Sequence, residues 1–179
     1  MGPCRLKVDR ASDTFRALAE AIVYQQLTGK AAATILGRVK ALFPPPFPTP
    51  RGILRRPEAS LRGAGLSGGK IRALKDLARL SLDGTVPAIG VLKSLEDDRI
   101  VERLTEVHGI GPWTVHMLLI FRLGRPDVLP VTDYGVRKGF AKTFRLKDLP
   151  TPEQLLARGE RWRPWRSTAS WYLWRSLEL

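Results

Sequence analysis

The chain has 179 residues, a length typical of one compact domain or of two small lobes that share a core. Its 30 Lys and Arg residues against 17 Asp and Glu residues give a net charge of +13, which favours a polyanionic partner, above all nucleic acid. One cysteine, Cys4, and two histidines exclude a disulfide framework, a cysteine-ligated zinc site, an iron–sulfur cluster and a histidine-rich metal site.

Apolar segments are short throughout the chain. The N-terminal residues contain no apolar core of the kind that a signal peptide requires. The longest apolar run near the middle, residues 117–121, is far too short to span a bilayer. We therefore expect an intracellular protein with no membrane association.

Helical spacing of apolar residues dominates the first half of the chain. Ser12 or Asp13 is suited to cap a first helix, which breaks near residues 28–29. The proline-rich segment 43–50 cannot be helical and is interpreted as a stiff connector. The helices predicted in this half extend over residues 13–27, 31–42, 57–63 and 70–82, and the last of them is expected to bury Ile71, Leu74, Leu77, Ala78 and Leu82.

The second half of the chain continues the helical pattern. Ser94, with Asp97 three residues later, resembles a helix start. No alternating strand pattern appears, and the prolines extend residues 125–132 without strand periodicity. We therefore predict an all-α fold with roughly eight to ten short helices, and the later ones extend over residues 112–123, 133–143, 152–160 and 164–177.

A glycine hairpin at residues 107–114 separates two of these helical patterns. Gly109 and Gly111 flank Ile110, which is expected to enter the core, and Pro112 opens the next helix. The amides of the two glycines and of the next helix's first turn would converge on one DNA phosphate. Asp133 follows about twenty residues later at the start of another helical pattern, where an aspartate commonly serves as an N-cap.

Four motifs together resemble the helix-hairpin-helix DNA glycosylase superfamily, and within it the DNA-3-methyladenine glycosylase II branch, which repairs alkylated DNA. The resemblance spans nearly the whole chain. It rests on residues 104–114 with 129–140, on AIVYQQLT (21–28), on GLSGGK (65–70), and on WRPWRS (162–167) followed by YLW (172–174).

The resemblance implies a monofunctional DNA glycosylase of residues 1–179, with two helical lobes, an active-site cleft between them and no N-terminal β-domain. Such an enzyme would flip out alkylated purines of the 3-methyladenine and 7-methylguanine type and hydrolyse the N-glycosidic bond, leaving an abasic site. Bifunctional relatives place a lysine nucleophile directly after the hairpin, whereas this chain has Trp113 there.

Site residues follow from the same resemblance. Asp133 is the expected catalytic carboxylate, because cleavage builds positive charge on the sugar, and helix capping is compatible with that role. The other expected residues are Trp113, Trp174 and Tyr24 in the base pocket, Gln26 or its competitor Leu27 as the DNA wedge, and Gly109, Gly111, Trp113 and Thr114 at the DNA phosphate. Packing roles are expected for Trp162, Trp165 and Trp171.

No organic or redox cofactor and no side-chain metal site is expected, although the hairpin carbonyls are candidates for a monovalent cation. The expected partner is double-stranded DNA that carries alkylated bases, bound by a monomer that is cytoplasmic and nucleoid-associated, or nuclear in a eukaryote. Three alternatives remain open. They are a glycosylase for another damaged or mismatched base, a non-catalytic helix-hairpin-helix DNA-binding module, and a helical interaction protein with a basic surface.

Overall fold

In the computed structural model, residues 2–11 and 13–179 are described, and among them eleven α-helices and no β-strand occur. The predicted all-α fold class is confirmed. The chain divides into two compact units. We call residues 11–115 the N-terminal unit, and residues 116–179 with the described part of residues 1–10 the C-terminal unit. Every helix in the described ranges is too short or too polar to cross a membrane.

The N-terminal unit is organised around one long helix, α5 (Gly68–Asp83), against which α1 (Thr14–Tyr24), α3 (Pro50–Arg55) and α4 (Glu58–Gly63) pack. Ser67 caps the start of α5 by accepting a hydrogen bond from the Lys70 N–H, and Gly84 ends it in a left-handed conformation. The helices of this unit are α1 (Thr14–Tyr24), α2 (Gly29–Ala41), α3 (Pro50–Arg55), α4 (Glu58–Gly63), α5 (Gly68–Asp83), α6 (Ile89–Ser94) and α7 (Asp97–Leu104).

The C-terminal unit is built on the packing of two helices, α9 (Tyr134–Thr143) and α11 (Arg166–Ser176), with α10 (Pro152–Gly159) against α9. Val136 and Phe140 of α9, Leu155 of α10 and Leu173 of α11 form a core with Leu129 of the segment before α9, and Val131, Trp162 and Trp174 pack against this core. The chain passes from one unit to the other within α8 (Pro112–Leu118), and a π-helical turn follows at Leu119–Leu123. The remaining helices are α9 (Tyr134–Thr143), α10 (Pro152–Gly159), a 3-10 turn (Glu160–Trp162) and α11 (Arg166–Ser176).

Several helix boundaries differ from the sequence prediction. The first helix ends at Tyr24 and not near residue 27, because Gln25 leaves the helical conformation and Gln26 adopts a positive φ of 56°. Asp13 caps that helix, whereas Ser12 lies outside the described residues. The prediction of a helix start at Ser94 is wrong, since Ser94 ends α6 and Glu96 is the N-cap of α7.

Two six-residue helices, α3 and α6, were not predicted. Each is too short to contain the repeated apolar spacing that identifies a helix in a sequence. Pro50, the last residue of the predicted connector, is the first residue of α3, and Thr49 caps it by accepting a hydrogen bond from the Gly52 N–H at 3.1 Å. The connector therefore ends in a helix start.

Two side chains assigned to packing are exposed. Leu82 is 46% exposed near the end of α5, because helical periodicity identifies a face without showing where the neighbouring helices stop covering it. Trp165 is 63% exposed and occupies the non-helical N-cap position of α11. The buried positions Ile71, Leu74 and Leu77 are as predicted.

An ion-pair network fixes the start of α11 to the segment that leads towards α9. The Arg166 guanidinium donates to both carboxylate oxygens of Asp127, at 2.7 and 3.0 Å, and Arg163 donates to the same carboxylate at 2.7 Å. Burial on its own raises the pKa of Asp127, but the hydrogen bonds and positive charges of the two arginines outweigh it and hold that pKa below its usual value. The ionised form of the Asp127 carboxylate therefore stabilises the folded state.

We expect Asp127→Asn to lower the thermal unfolding temperature at neutral pH, with a difference from wild type that shrinks as the pH falls below about 4. A depressed folded-state pKa stabilises the fold above the ordinary aspartate pKa, and this stabilisation is lost as the pH falls through the folded-state value. The measurement is calorimetry between neutral pH and pH 3. Asp148→Asn, at an exposed aspartate of the same unit, is the control. A difference independent of pH would contradict the assignment.

Gly139→Ala should destabilise the protein by about 1–3 kcal/mol or more. A Cβ at Gly139 in α9 would lie 2.0 Å from the Leu173 carbonyl oxygen of α11, so the two helices must separate to admit it. Denaturant unfolding measures the change. The control is Gly37→Ala in α2, where a Cβ meets open space and alanine improves helix propensity by up to about 1 kcal/mol. Equal behaviour of the two variants would be inconsistent with this close packing.

Candidate active site

Asp133 is the N-cap of α9 in the C-terminal unit. Its Oδ1 accepts a hydrogen bond from the Val136 N–H at 2.7 Å and a second from the Trp174 indole N–H at 2.8 Å. The two donors come from different helices, so they fix the orientation of the carboxylate plane.

Trp174 projects from α11 and is held on more than one side. Its ring stacks on Phe121, with centroids 5.8 Å apart and planes inclined by 29°, and it packs against the core between α9 and α11. The residue of α9 that faces the Trp174 indole is Gly135, which has no Cβ to hold the ring away from the helix. The structure thus brings together two predicted site residues, Asp133 and Trp174, through a direct hydrogen bond.

The hairpin of the N-terminal unit agrees with the prediction at Gly109 and Ile110. Gly109 has φ 79°, a conformation that favours glycine, and Ile110 is buried as expected. Gly111 does not have a positive φ, but a Cβ there would meet open space. Gly109, Gly111 and Trp113 are exposed.

Thr114 differs from these exposed hairpin residues because it is buried. Its N–H donates to the Gly111 carbonyl at 3.0 Å inside the first turn of α8. Its hydroxyl lies 3.5 Å from the Gln25 amide nitrogen. Thr114 therefore supports the hairpin from the interior.

The turn between α1 and α2 carries the predicted wedge residues. Gln26 adopts a left-handed φ of 56°, which is costly for a residue with a Cβ, and its side chain is exposed. Tyr24 and Leu27 are also exposed, at 41% and 39%. We call residues 25–28 the α1–α2 turn. A strained, exposed turn of this kind persists only where the surroundings hold it.

Two side chains that the sequence prediction missed hold the α1–α2 turn. The amide nitrogen of Gln25 donates to the Gly109 carbonyl at 3.0 Å, which ties the turn to the hairpin. The Lys70 ammonium at the start of α5 donates to the Val23 carbonyl at 2.7 Å, which satisfies the end of α1, and burial lowers the pKa of Lys70. Nothing in the local sequence of either residue indicates its distant partner.

Asp76 in α5 fixes the other side of the hairpin and was also missed. Its carboxylate accepts a hydrogen bond from the His108 N–H at 2.8 Å and another from Arg79 at 2.9 Å. Burial raises the pKa of Asp76, but these hydrogen bonds and the arginine charge outweigh it, so the pKa lies below its usual value. Lys70 and Asp76 are six residues apart on one helix, about 9 Å along its axis, so α5 sets where both the turn and the hairpin lie.

The predicted residues are divided between the two units. Asp133 and Trp174 lie in the C-terminal unit, whereas Tyr24, Gln26, Leu27, the hairpin glycines and Trp113 lie in the N-terminal unit. Within the described residues, no group of three or more His, Cys, Asp or Glu side chains is placed to hold a metal ion. Among the predicted residues, those of the C-terminal unit supply a carboxylate and an indole ring, and those of the N-terminal unit supply exposed aromatic rings and exposed backbone amides.

Comparisons with known proteins agree on one family. The family model described as "HhH-GPD superfamily base excision DNA repair protein" matches residues 19–164. The chain is 38% identical over 168 residues to DNA-3-methyladenine glycosylase 1 of Schizosaccharomyces pombe, covering 93% of this chain and 74% of that protein. It spans only 59% of a Bacillus subtilis relative to which it is 33% identical.

Solved structures give the same result. The 3-methyladenine DNA glycosylase of Schizosaccharomyces pombe in complex with abasic DNA superimposes with a TM-score of 0.84 at 37% identity, covering 99% of this chain and 86% of that one. A DNA-3-methyladenine glycosidase from Bacillus halodurans superimposes with a TM-score of 0.86 at 32% identity, covering 95% and 78%.

Proposed function

The chain belongs to the HhH-GPD superfamily of base excision DNA repair proteins, and we propose that it is a monofunctional DNA glycosylase for alkylated purines of the 3-methyladenine and 7-methylguanine type. It flips the damaged nucleotide out of double-stranded DNA and hydrolyses the N-glycosidic bond, leaving an abasic site. The observation that carries the proposal is the helix-capping carboxylate of Asp133, oriented by the Trp174 indole at 2.8 Å.

Asp133 acts on the sugar. As the bond to the base breaks, positive charge builds on the anomeric carbon, much as in glycoside hydrolysis. A carboxylate about 4 Å away at an effective dielectric near 20 stabilises such a charge by about 4 kcal/mol, which corresponds to roughly 10³ in rate. The Val136 N–H and the Trp174 N–H keep the carboxylate in one orientation, so it does not reorganise during the reaction.

Aromatic side chains bind the flipped base. Alkylation at a ring nitrogen makes the purine cationic, and tryptophan faces attract cations by ~0.5–2 kcal/mol. Trp174 lies directly beside Asp133, and Trp113 and Tyr24 are exposed in the N-terminal unit. We assign Trp174, which also holds the carboxylate, to base binding in the C-terminal unit, and Trp113 and Tyr24 are the aromatic side chains of the N-terminal unit that the family resemblance assigns to base binding.

The hairpin binds a DNA phosphate through backbone amides. Gly109 and Gly111 are exposed, and the open space at Gly111 allows a phosphate to approach the backbone closely. The exposed Trp113 follows them in the sequence, whereas the buried Thr114 stabilises the hairpin through its hydrogen bonds. Contacts of this kind position the DNA without reading its sequence.

Gln26 is the proposed wedge that fills the space left by the flipped nucleotide. It is the exposed, left-handed residue of the α1–α2 turn, and the bonds of Gln25 and Lys70 hold that turn in place. Leu27, 39% exposed, is the apolar competitor for this role.

The proposed enzyme needs no organic or redox cofactor. A monovalent cation at the hairpin would share its carbonyls, of which those of Val107, Gly109 and Gly111 already accept hydrogen bonds.

The protein acts as a monomer on chromosomal DNA, in the cytoplasm with the nucleoid, or in the nucleus if its source is eukaryotic.

Asp133→Asn should reduce the release of methylated bases from alkylated duplex DNA by about 10³-fold. Asparagine keeps an oxygen that accepts from Val136 and Trp174 but lacks the charge, so folding should be preserved. Chromatography of released bases under single-turnover conditions measures the effect. Asp148→Asn, at an exposed position of the same unit, is the control. Equal release by wild type and Asp133→Asn would remove Asp133 from the reaction.

Gln25→Met should weaken binding to duplex DNA by up to about tenfold. Methionine keeps the length of the side chain but cannot donate to the Gly109 carbonyl, so the α1–α2 turn and the hairpin are no longer joined. Fluorescence anisotropy at fixed salt concentration is the measurement, because phosphate binding depends steeply on salt. Gln154→Met removes a local hydrogen bond of 2.9 Å in α10 and serves as the matched control. Unchanged affinity in Gln25→Met would argue against this coupling.

A further inference from the structure

Gly135 occupies the second position of α9, two residues after Asp133. A Cβ built there would lie 2.9 Å from Cδ1 of Trp174, 3.1 Å from its Nε1 and 3.1 Å from Oδ1 of Asp133. The first of these distances is shorter than carbon atoms tolerate, and the other two involve the donor and the acceptor of the Trp174–Asp133 hydrogen bond. Because Gly135 has no Cβ, it leaves the space that the Trp174–Asp133 hydrogen bond occupies.

Backbone conformation does not require glycine at this position. Gly135 is not among the described glycines with a positive φ, and alanine is a better helix former than glycine by intrinsic propensity. Gly135 lowers the helix propensity of α9 and is not required by the backbone dihedral angles, so we attribute its effect to the space left by its missing side chain. The three heavy atoms nearest to that space all belong to the side chains of Trp174 and Asp133.

The indole has little freedom to move away from an added methyl group. Trp174 stacks on Phe121 and packs against the core of the C-terminal unit. One turn further along α9, Gly139 lies so close to α11 that a Cβ would come within 2.0 Å of the Leu173 carbonyl. The backbones on which Asp133 and Trp174 sit are therefore fixed relative to each other.

We infer that Gly135 is a positioning residue for the glycosylase reaction, which admits the Trp174 indole to the Asp133 carboxylate and so sets the orientation of the catalytic oxygen atoms. The inference rests on the proposed function of Asp133. A larger residue at position 135 separates the indole from the carboxylate and leaves Oδ1 with the Val136 N–H as its remaining donor of the two described. The carboxylate then reorients when charge develops on the sugar.

The test is Gly135→Ala, measured in two independent ways. Loss of one hydrogen bond to a charged acceptor predicts a single-turnover rate of base release lower by about tenfold or more, with little change in affinity for undamaged DNA. In proton–nitrogen NMR spectra, the indole N–H signal of Trp174, identified by its disappearance in Trp174→Phe, should shift and exchange faster with solvent.

Gly90→Ala is the matched control. Gly90 is the second residue of α6, as Gly135 is of α9, and a Cβ there meets open space. It should alter neither the rate of base release nor the indole signal. A general effect of placing alanine early in a helix would appear in both variants, whereas the positioning effect appears in Gly135→Ala alone.

A double-mutant cycle separates positioning from general damage. Phenylalanine at position 174 removes the indole N–H and leaves more room, so Gly135→Ala should cost little further activity in the Trp174→Phe background. If Gly135→Ala alone does not fold, recovery of folding in the double variant supports the steric conflict with the indole, and failure to recover overturns it.

The outcomes separate this inference from the proposed function. If the wild-type protein releases alkylated bases while Gly135→Ala leaves both the rate and the indole signal unchanged, the inference is overturned and the proposed function stands. If the wild-type protein releases no base, the proposed function fails. The indole signal then decides alone whether Gly135 sets the contact between Trp174 and Asp133.

Discussion

The close approach of α9 and α11 is the constraint on which the C-terminal unit depends. Gly139 admits the backbone of α11 and Gly135 admits the Trp174 ring, and these two glycines are four residues apart on one face of α9. The helices consequently pack closely enough for a side chain of α11 to reach the N-cap of α9. Asp133 Oδ1 consequently accepts one hydrogen bond from its own helix, as an N-cap, and a second from the Trp174 indole of α11.

In the N-terminal unit, the main constraint is that two exposed loops, the α1–α2 turn and the hairpin, are held in fixed positions. Exposed backbone and a left-handed glutamine are unfavourable on their own, so side chains from a rigid helix compensate. Lys70 and Asp76 of α5 bind the end of α1 and the hairpin, and Gln25 joins the loops directly. Under the proposed function, loops that are held in this way before DNA binds would reduce the entropic cost of association.

Under the proposed function, the chemical groups of the protein contribute separately to DNA attraction, to discrimination between bases and to catalysis. Backbone amides and a net charge of +13 attract any DNA, because phosphates are the same at every position. Under the proposed function, discrimination between damaged and normal bases would therefore come from the aromatic groups and from the ease with which a base leaves the stack. Under the proposed function, the Asp133 carboxylate contributes only after the sugar of the flipped nucleotide has been brought to it.

Local sequence patterns determined the features that depend on neighbours within a few residues. Apolar spacing predicted most of the helices, Asp13 and Asp133 were recognisable as helix starts, and the spacing of Gly109 and Gly111 predicted the hairpin with Ile110 in the core. Such features arise from hydrogen bonds and burial over one or two helical turns. The resemblance of four ordered motifs added the family, which the comparisons support.

Only the tertiary structure decided which residues hold the site in shape. Gln25 meets Gly109 across 84 residues of sequence, Lys70 meets Val23 across 47, and Asp76 meets His108 across 32. Gly135 has no side chain to signal its role, and its importance depends on an indole from another helix. These contacts depend on how helices pack, and helical periodicity specifies which face is buried without specifying what lies against it.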